Sequence, residues 1–209
     1  MTDAPNPWLP QNPESVVADV AAQRTTTVAT TGPVRPQKGV SAPDLVDQLP
    51  LRRVDRSALL WVVGAHGGAA ESTISELDES WVAGQHAWPV SPTGEVVHVV
   101  IVARTSARGL LAAKSAAKQW AAGLVPGVEL LGLVLVADAP GRLPRPLRDL
   151  AKVVGGGYPR TWQVPWIESW RLGEQVVPGV AVREVHRLVD DLCTILPLGA
   201  PSGAATERN

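Results

Sequence analysis

Three short apolar runs, Ala58–Val63, Val96–Ala103 and Leu130–Ala137, alternate with stretches whose apolar residues recur at helical spacing. No other feature limits the fold as much. Runs of this length, bounded by glycine and proline, read as buried strands. The stretch Leu110, Ala113, Ala117, Trp120, Ala121 and Leu124 reads as an amphipathic helix laid on a sheet. Strand–helix alternation of this kind predicts a mostly parallel, doubly wound sheet covered by helices on both faces.

Further elements follow from the same periodicities. Ser72 is placed to cap a helix of roughly ten residues, with Ile74, Leu77 and Trp81 on one face. Gly84–Gly94 reads as a turn-rich connection. Pro146–Val154 is expected to be helical and is ended by Gly155, Gly156 and Gly157, after which Arg160–Val164 gives a fourth strand. Ile167–Leu172 is a short helix. Val182, Val185, Leu188, Val189, Leu192, Ile195 and Leu196 lie on one face of a terminal helix.

At 209 residues, 45% hydrophobic and 19% charged, the chain suffices for one domain of ordinary size with a buried core. That domain is expected over residues 56–197. Residues 1–55 are rich in Pro, Thr, Gln and Asp and have no sustained apolar period, so they read as a disordered arm, within which Asp44–Leu49 suits a short helix. Within the arm, Trp8 and Leu9 sit between prolines as a docking motif for a protein partner or as a tail folded back on its own domain. Residues 198–209 read as a flexible tail.

A net charge of −1 gives no general attraction to nucleic acid or to an anionic membrane. The apolar runs are far shorter than the ~20 residues that span a bilayer, and Met1–Pro10 lacks the pattern of a secretory signal. A cytoplasmic protein with no membrane span is therefore expected. The single cysteine, Cys193, excludes an internal disulfide, and His66, His86, His98 and His186 lack metal-ligand spacing. With no Phe and eight Trp, tryptophan must carry most of the aromatic packing.

The first apolar run ends in Gly64, Gly67 and Gly68, which places a glycine-rich loop between a buried strand and a helix. Such loops offer backbone N–H groups and a positive dipole end to phosphate. A working phosphate loop reads G-x-x-x-x-G-K-S/T, its lysine reaching the β- and γ-phosphates and its hydroxyl holding Mg²⁺. The segment His66-Gly67-Gly68-Ala69-Ala70-Glu71-Ser72, followed by Thr73, resembles the loop K-G-G-x-G-K-S/T of the ParA/MinD-like branch of P-loop ATPases. Arg104–Ser106 after its strand, Leu131–Val136, and Val164–Gly173 with Pro165 at a strand end resemble later parts of that family in the right order. The likeness covers about residues 58–175 and extends to bacterial relatives with the same degraded loop.

The resemblance implies a P-loop NTPase-type sheet, reduced in size, with Gly64, His66, Gly67, Gly68, Ala70, Glu71, Ser72, Thr73 and Asp138 as the nucleotide-binding positions if binding is retained. It also shows what has changed. His66 and Glu71 stand where the family has lysines, and Ala70 stands where it has glycine. At an effective dielectric near 20, two unit charges ~4 Å apart interact by about 4 kcal/mol, so exchanging a lysine for a glutamate at a polyphosphate costs several kcal/mol. Ala70 adds a penalty wherever the loop needs a positive φ. Asp138, with Gly141 three residues on, is a minority candidate to join Ser72 in holding Mg²⁺; the preferred reading makes it a turn residue.

Two other constellations compete. Arg142, Arg145, Arg148 and Lys152 concentrate positive charge and would suit nucleic-acid phosphates, against the preferred reading of a solvated helix face paired with Asp149, Glu168 and Glu174. Trp162, Trp166 and Trp170 would stack bases, or else pack a core or a subunit interface. No nucleophile–base arrangement is visible, so no catalytic residue is assigned.

The leading expectation is a pseudo-ATPase: a catalytically degenerate scaffold that binds a protein partner, with plasmid partitioning or conjugative DNA transfer as the setting the family suggests and a homodimer left open. The first alternative is a divergent ATPase that uses ATP and Mg²⁺ through residues 64–73 and Asp138. The second is a nucleic-acid-binding module built on residues 142–152.

Overall fold

The computed structural model describes residues 28–55, 58–174 and 182–197. Five strands form one all-parallel sheet: β2 (Leu60–Gly64), β3 (Trp81–Ala83), β5 (Val97–Arg104), β6 (Val128–Val136) and β7 (Thr161–Val164), in the order β3-β2-β5-β6-β7. A separate parallel pair joins β1 (Leu51–Arg53) to β4 (Trp88–Val90). Helices α1 (Glu71–Ser75), α2 (Ala107–Ala121), α3 (Arg145–Gly155), α4 (Glu168–Arg171) and α5 (Arg183–Ile195) complete the order.

Side-chain alternation along the strands divides the core into two layers. Trp61 and Val63 of β2, Val99 and Ile101 of β5, and Leu133 and Leu135 of β6 pack with Leu110, Ala113 and Trp120 of α2 and Val154 of α3. Leu60, Val62, Val100, Val102, Val134 and Val136 face the other way, onto Ile74 of α1 and Val185, Leu188 and Leu192 of α5. Both faces of the sheet are thus covered, which explains why its strands read as continuous apolar runs. A register shift, with Val99 opposite Leu130 and Val100 opposite Gly132, places Leu130 and Leu133, three residues apart on β6, in the same layer. Gly132 lies there because a β-carbon would meet the Trp162 ring at 2.5 Å and the Arg160 carbonyl at 2.6 Å.

The segment expected to be an arm enters the fold within residues 28–55. The Thr31 N–H donates to the Pro159 carbonyl and Arg160 Nε donates to the Val28 carbonyl. Leu45–Asp47 forms one 3-10 turn. Gln119, buried in α2, accepts from the Leu49 N–H at 3.0 Å and from Trp88 Nε1 at 2.9 Å, and its amide donates to the Leu49 carbonyl at 2.8 Å. The ties of residues 28–49 run from their main-chain groups to partners distant in sequence, so composition gave no sign of them. Trp8 lies outside the described residues.

The helix after the glycine loop is half the expected length and starts at Glu71 rather than after a Ser72 cap. Beyond its end the Ser80 N–H and hydroxyl both donate to Asp78 Oδ1, in a turn that leads the chain into β3. Trp81, at helical spacing from Ile74, instead begins β3 and pairs with Leu60. The connection Gly84–Gly94 contains β4. Among the described residues no helix is long and apolar enough to cross a membrane.

Candidate functional site

Along the chain the strands of the large sheet pair in the order 2-1-3-4-5, so the direction of winding reverses between β2 and β5. In doubly wound sheets ligands bind outside the carboxyl ends of the strands at such a switch point. Here that position is occupied by the loop from Gly64 to Ala70, flanked by α1 on one face of the sheet and α2 on the other.

The start of the loop is fixed to β5. The Ala65 N–H donates to the Val102 carbonyl at 2.8 Å. His66 Nε2 accepts from the Arg104 N–H at 3.1 Å while Nδ1 lies 2.8 Å from the Gly67 carbonyl, so both ring nitrogens are engaged in a neutral ring protonated at Nδ1. His66 is thereby a brace between the loop and the end of β5. Gly109 admits this brace, since a β-carbon would meet Nε2 at 2.8 Å.

Glu71 is held against His86 at the wall of the loop. Its side chain is only 9% exposed and pairs with His86, whose Nδ1 lies 3.4 Å from Oε2 and whose backbone N–H donates to Oε1 at 3.3 Å. The same Nδ1 is 3.1 Å from the Gly64 carbonyl. Among the described residues, all the non-glycine residues with a left-handed backbone gather here: Ala70 at φ 73°, Gln85 at φ 56° and His86 at φ 55°. Such conformations cost about 1–2 kcal/mol each for L-residues. The condition under which alanine at position 70 is penalised is therefore met.

Arg104, at the carboxyl end of β5, ties three elements together. Its Nε donates to the Gly68 carbonyl at 3.2 Å and its Nη1 to the Ala137 carbonyl at 2.9 Å. Burial lowers its proton affinity, Asp138 acts against that, and Arg171 adds to the lowering. An arginine with this surrounding remains charged at any physiological pH.

Two clefts meet at Gly68 and Arg104. One, of about 390 Å³, is lined by His66, Gly67, Gly68, Arg108, Asp138 and Arg171, with Trp166 at its wall. The other, of about 580 Å³, is lined by Ala70, Glu71, Ser72, Gln85 and His86. Ser72 and Asp138, the residues expected to share Mg²⁺, line different clefts. Thr73 lines neither and is half-buried, and Gly64 lies beneath the Glu71–His86 pair. Among the described residues no three His, Cys, Asp or Glu side chains gather as a metal site.

The remaining groups separate. Arg145, Arg148 and Lys152 are exposed on α3, with Arg145 Nε 3.7 Å from Asp149 Oδ2, while Arg142 lines a neighbouring cleft of about 670 Å³. Trp162 is buried and donates to Asp191 Oδ2, Trp170 packs against the α5 side of the core, and Trp166 donates to Glu168 Oε2. Of the three, only Trp162 is fully part of the core, and Trp166 and Trp170 are half-buried. Cys193 is exposed, with its thiol pKa raised by desolvation and by Asp78 and Asp190, and so has no activator among the described residues. Sequence reasoning missed His86, Arg104 and Arg108 as site residues. The available signal was an arginine closing a buried strand just before a helix cap, because strand ends at a switch point are where ligands are met.

A model of a family of unknown function, DUF6668, matches residues 58–188, and the chain belongs to that family. No curated protein and no solved structure matches it.

Proposed function

We propose that this DUF6668 domain is a non-hydrolysing, ParA/MinD-like scaffold whose glycine loop has become part of the fold's own bracing. The observation that carries this reading is the buried Glu71, paired with His86 at the position where the resemblance calls for a phosphate-binding lysine. A carboxylate held there supplies no cation to a γ-phosphate. The Gly68 carbonyl, tied to Arg104, fixes the loop in a shape set by the protein itself. Its work is then binding, with a protein partner as the intended target, in partitioning or transfer of DNA as the family likeness suggests.

The test is to incubate the purified full chain with ATP and Mg²⁺, following binding by calorimetry and phosphate release over time. Phosphate release is expected at the rate of the blank. Turnover that is abolished by Ser72→Ala would overturn it in favour of a divergent ATPase.

A further inference from the structure

We propose that the cleft bounded by Gly67, Gly68, Arg104, Arg108 and Arg171 is a metal-independent binding site for a phosphate dianion, free or as the monoester of a small molecule. The site lies on the α2 side of the loop, away from Glu71 and from the short helix α1.

Three guanidinium groups and one carboxylate, Asp138, line a space of about 390 Å³, which gives the cleft a net positive charge in a chain whose overall charge is −1. Neither Arg108 nor Arg171 has an ion-pair partner among the described residues. Arg171 lies close enough to Arg104 to disfavour its proton, and such like-charge proximity is relieved by an anion between them.

Nε and Nη1 of Arg104 are bonded to main-chain carbonyls, so the guanidinium is held in place, and Nη2 has no protein acceptor among the described residues. Arginine matches the oxygens of a phosphate through its fork of donors, and a fork already immobilised loses less entropy on binding. The backbone N–H groups of Gly67 and Gly68 likewise have no protein acceptor among the described residues. Arg108 stands in the first turn of the fifteen-residue α2, whose positive end adds to the field at the cleft. The volume suits a small molecule, and Trp166 supplies an apolar wall for whatever carries the phosphate.

Binding requires neither magnesium nor a triphosphate, so the proposal stands or falls apart from the absence of hydrolysis. The test is calorimetry on the full chain in magnesium-free, low-salt buffer, with inorganic phosphate and glycerol 3-phosphate as separate probes. Saturable binding of at least one probe is expected, weakened tenfold or more by Arg108→Ala with Arg171→Ala and changed less than twofold by Arg145→Ala with Arg148→Ala. Both pairs are exposed, and folding of each variant is checked by its unfolding temperature. Tighter binding of the ester assigns the site to a phosphorylated metabolite; equal binding assigns it to free phosphate. No saturable binding of either probe, or equal weakening by both double substitutions, would overturn the proposal.

Discussion

The Glu71 carboxylate and the His86 imidazole meet 3.4 Å apart directly over Gly64, which leaves no room for a side chain beneath them. A β-carbon at position 64 would stand 2.8 Å from His86 Nδ1 and 3.2 Å from Glu71 Oε2. The first glycine of the loop therefore serves this acid–histidine pair. Gly64→Ala is expected to push the imidazole aside and to destabilise the fold by about 1–3 kcal/mol, the range for overpacking a well-filled site. Denaturant unfolding checks it; an unchanged midpoint would show that the pair does not depend on contact with Gly64.

At Gly68 the cause is different. A β-carbon there would have no atom within 4 Å, but the backbone has φ +75°. Gly68→Ala should cost about 1–2 kcal/mol through backbone conformation alone. Gly67→Ala, where there is neither a clash nor a positive φ, should cost less, and equal losses in thermal unfolding would contradict this reading.

Gln119 is the buried side chain that ties Leu49 and Trp88 to α2. Replacing it with leucine leaves the Leu49 N–H and carbonyl and the Trp88 indole N–H without their partner. A loss of at least about 2 kcal/mol is expected, since each stranded polar group costs about 1–3 kcal/mol. The check is hydrogen exchange at Leu49 together with global unfolding; protection retained at Leu49 would refute the tie.

Tyr158, the single tyrosine of the chain, is fully buried and donates to the Ala113 carbonyl at 2.6 Å. Burial raises its pKa well above that of a free phenol, near 10. As pH rises the unfolded chain releases this proton first, so the stability Tyr158 contributes is intact below about pH 10 and is lost progressively above it. Phenolate absorbance should therefore appear together with unfolding in an alkaline titration, and not before it. Ionisation near pH 10 in the still-folded protein would contradict the burial.

The larger sheet was legible where strands are buried on both faces, because Leu60–Val63, Val97–Ala103 and Leu130–Val136 carry almost no polar interruption. Three-residue strands gave no such signal. Trp81 matched the helical spacing set by Ile74 and Leu77, and only the Asp78–Ser80 turn moves it into β3. The glycine loop was also legible, but the direction of Glu71 was not: it depends on His86, fifteen residues away and held at a left-handed backbone angle. Likewise Arg104, Arg108 and Arg171 come from a strand end, a helix start and a helix end, and only the fold brings them to one cleft.

The most direct test of the central claim restores the lysine that the resemblance calls for. Glu71→Lys is to be compared with Glu71→Gln in unfolding temperature and in Mg²⁺-dependent ATP turnover. If position 71 serves the fold, the lysine variant unfolds at a markedly lower temperature than the glutamine variant, because it buries a second cation-forming group against His86 over Gly64, and neither variant turns over ATP. A Glu71→Lys protein as stable as the parent that hydrolyses ATP would contradict the account, since the loop would then be a catalytic device lacking one residue.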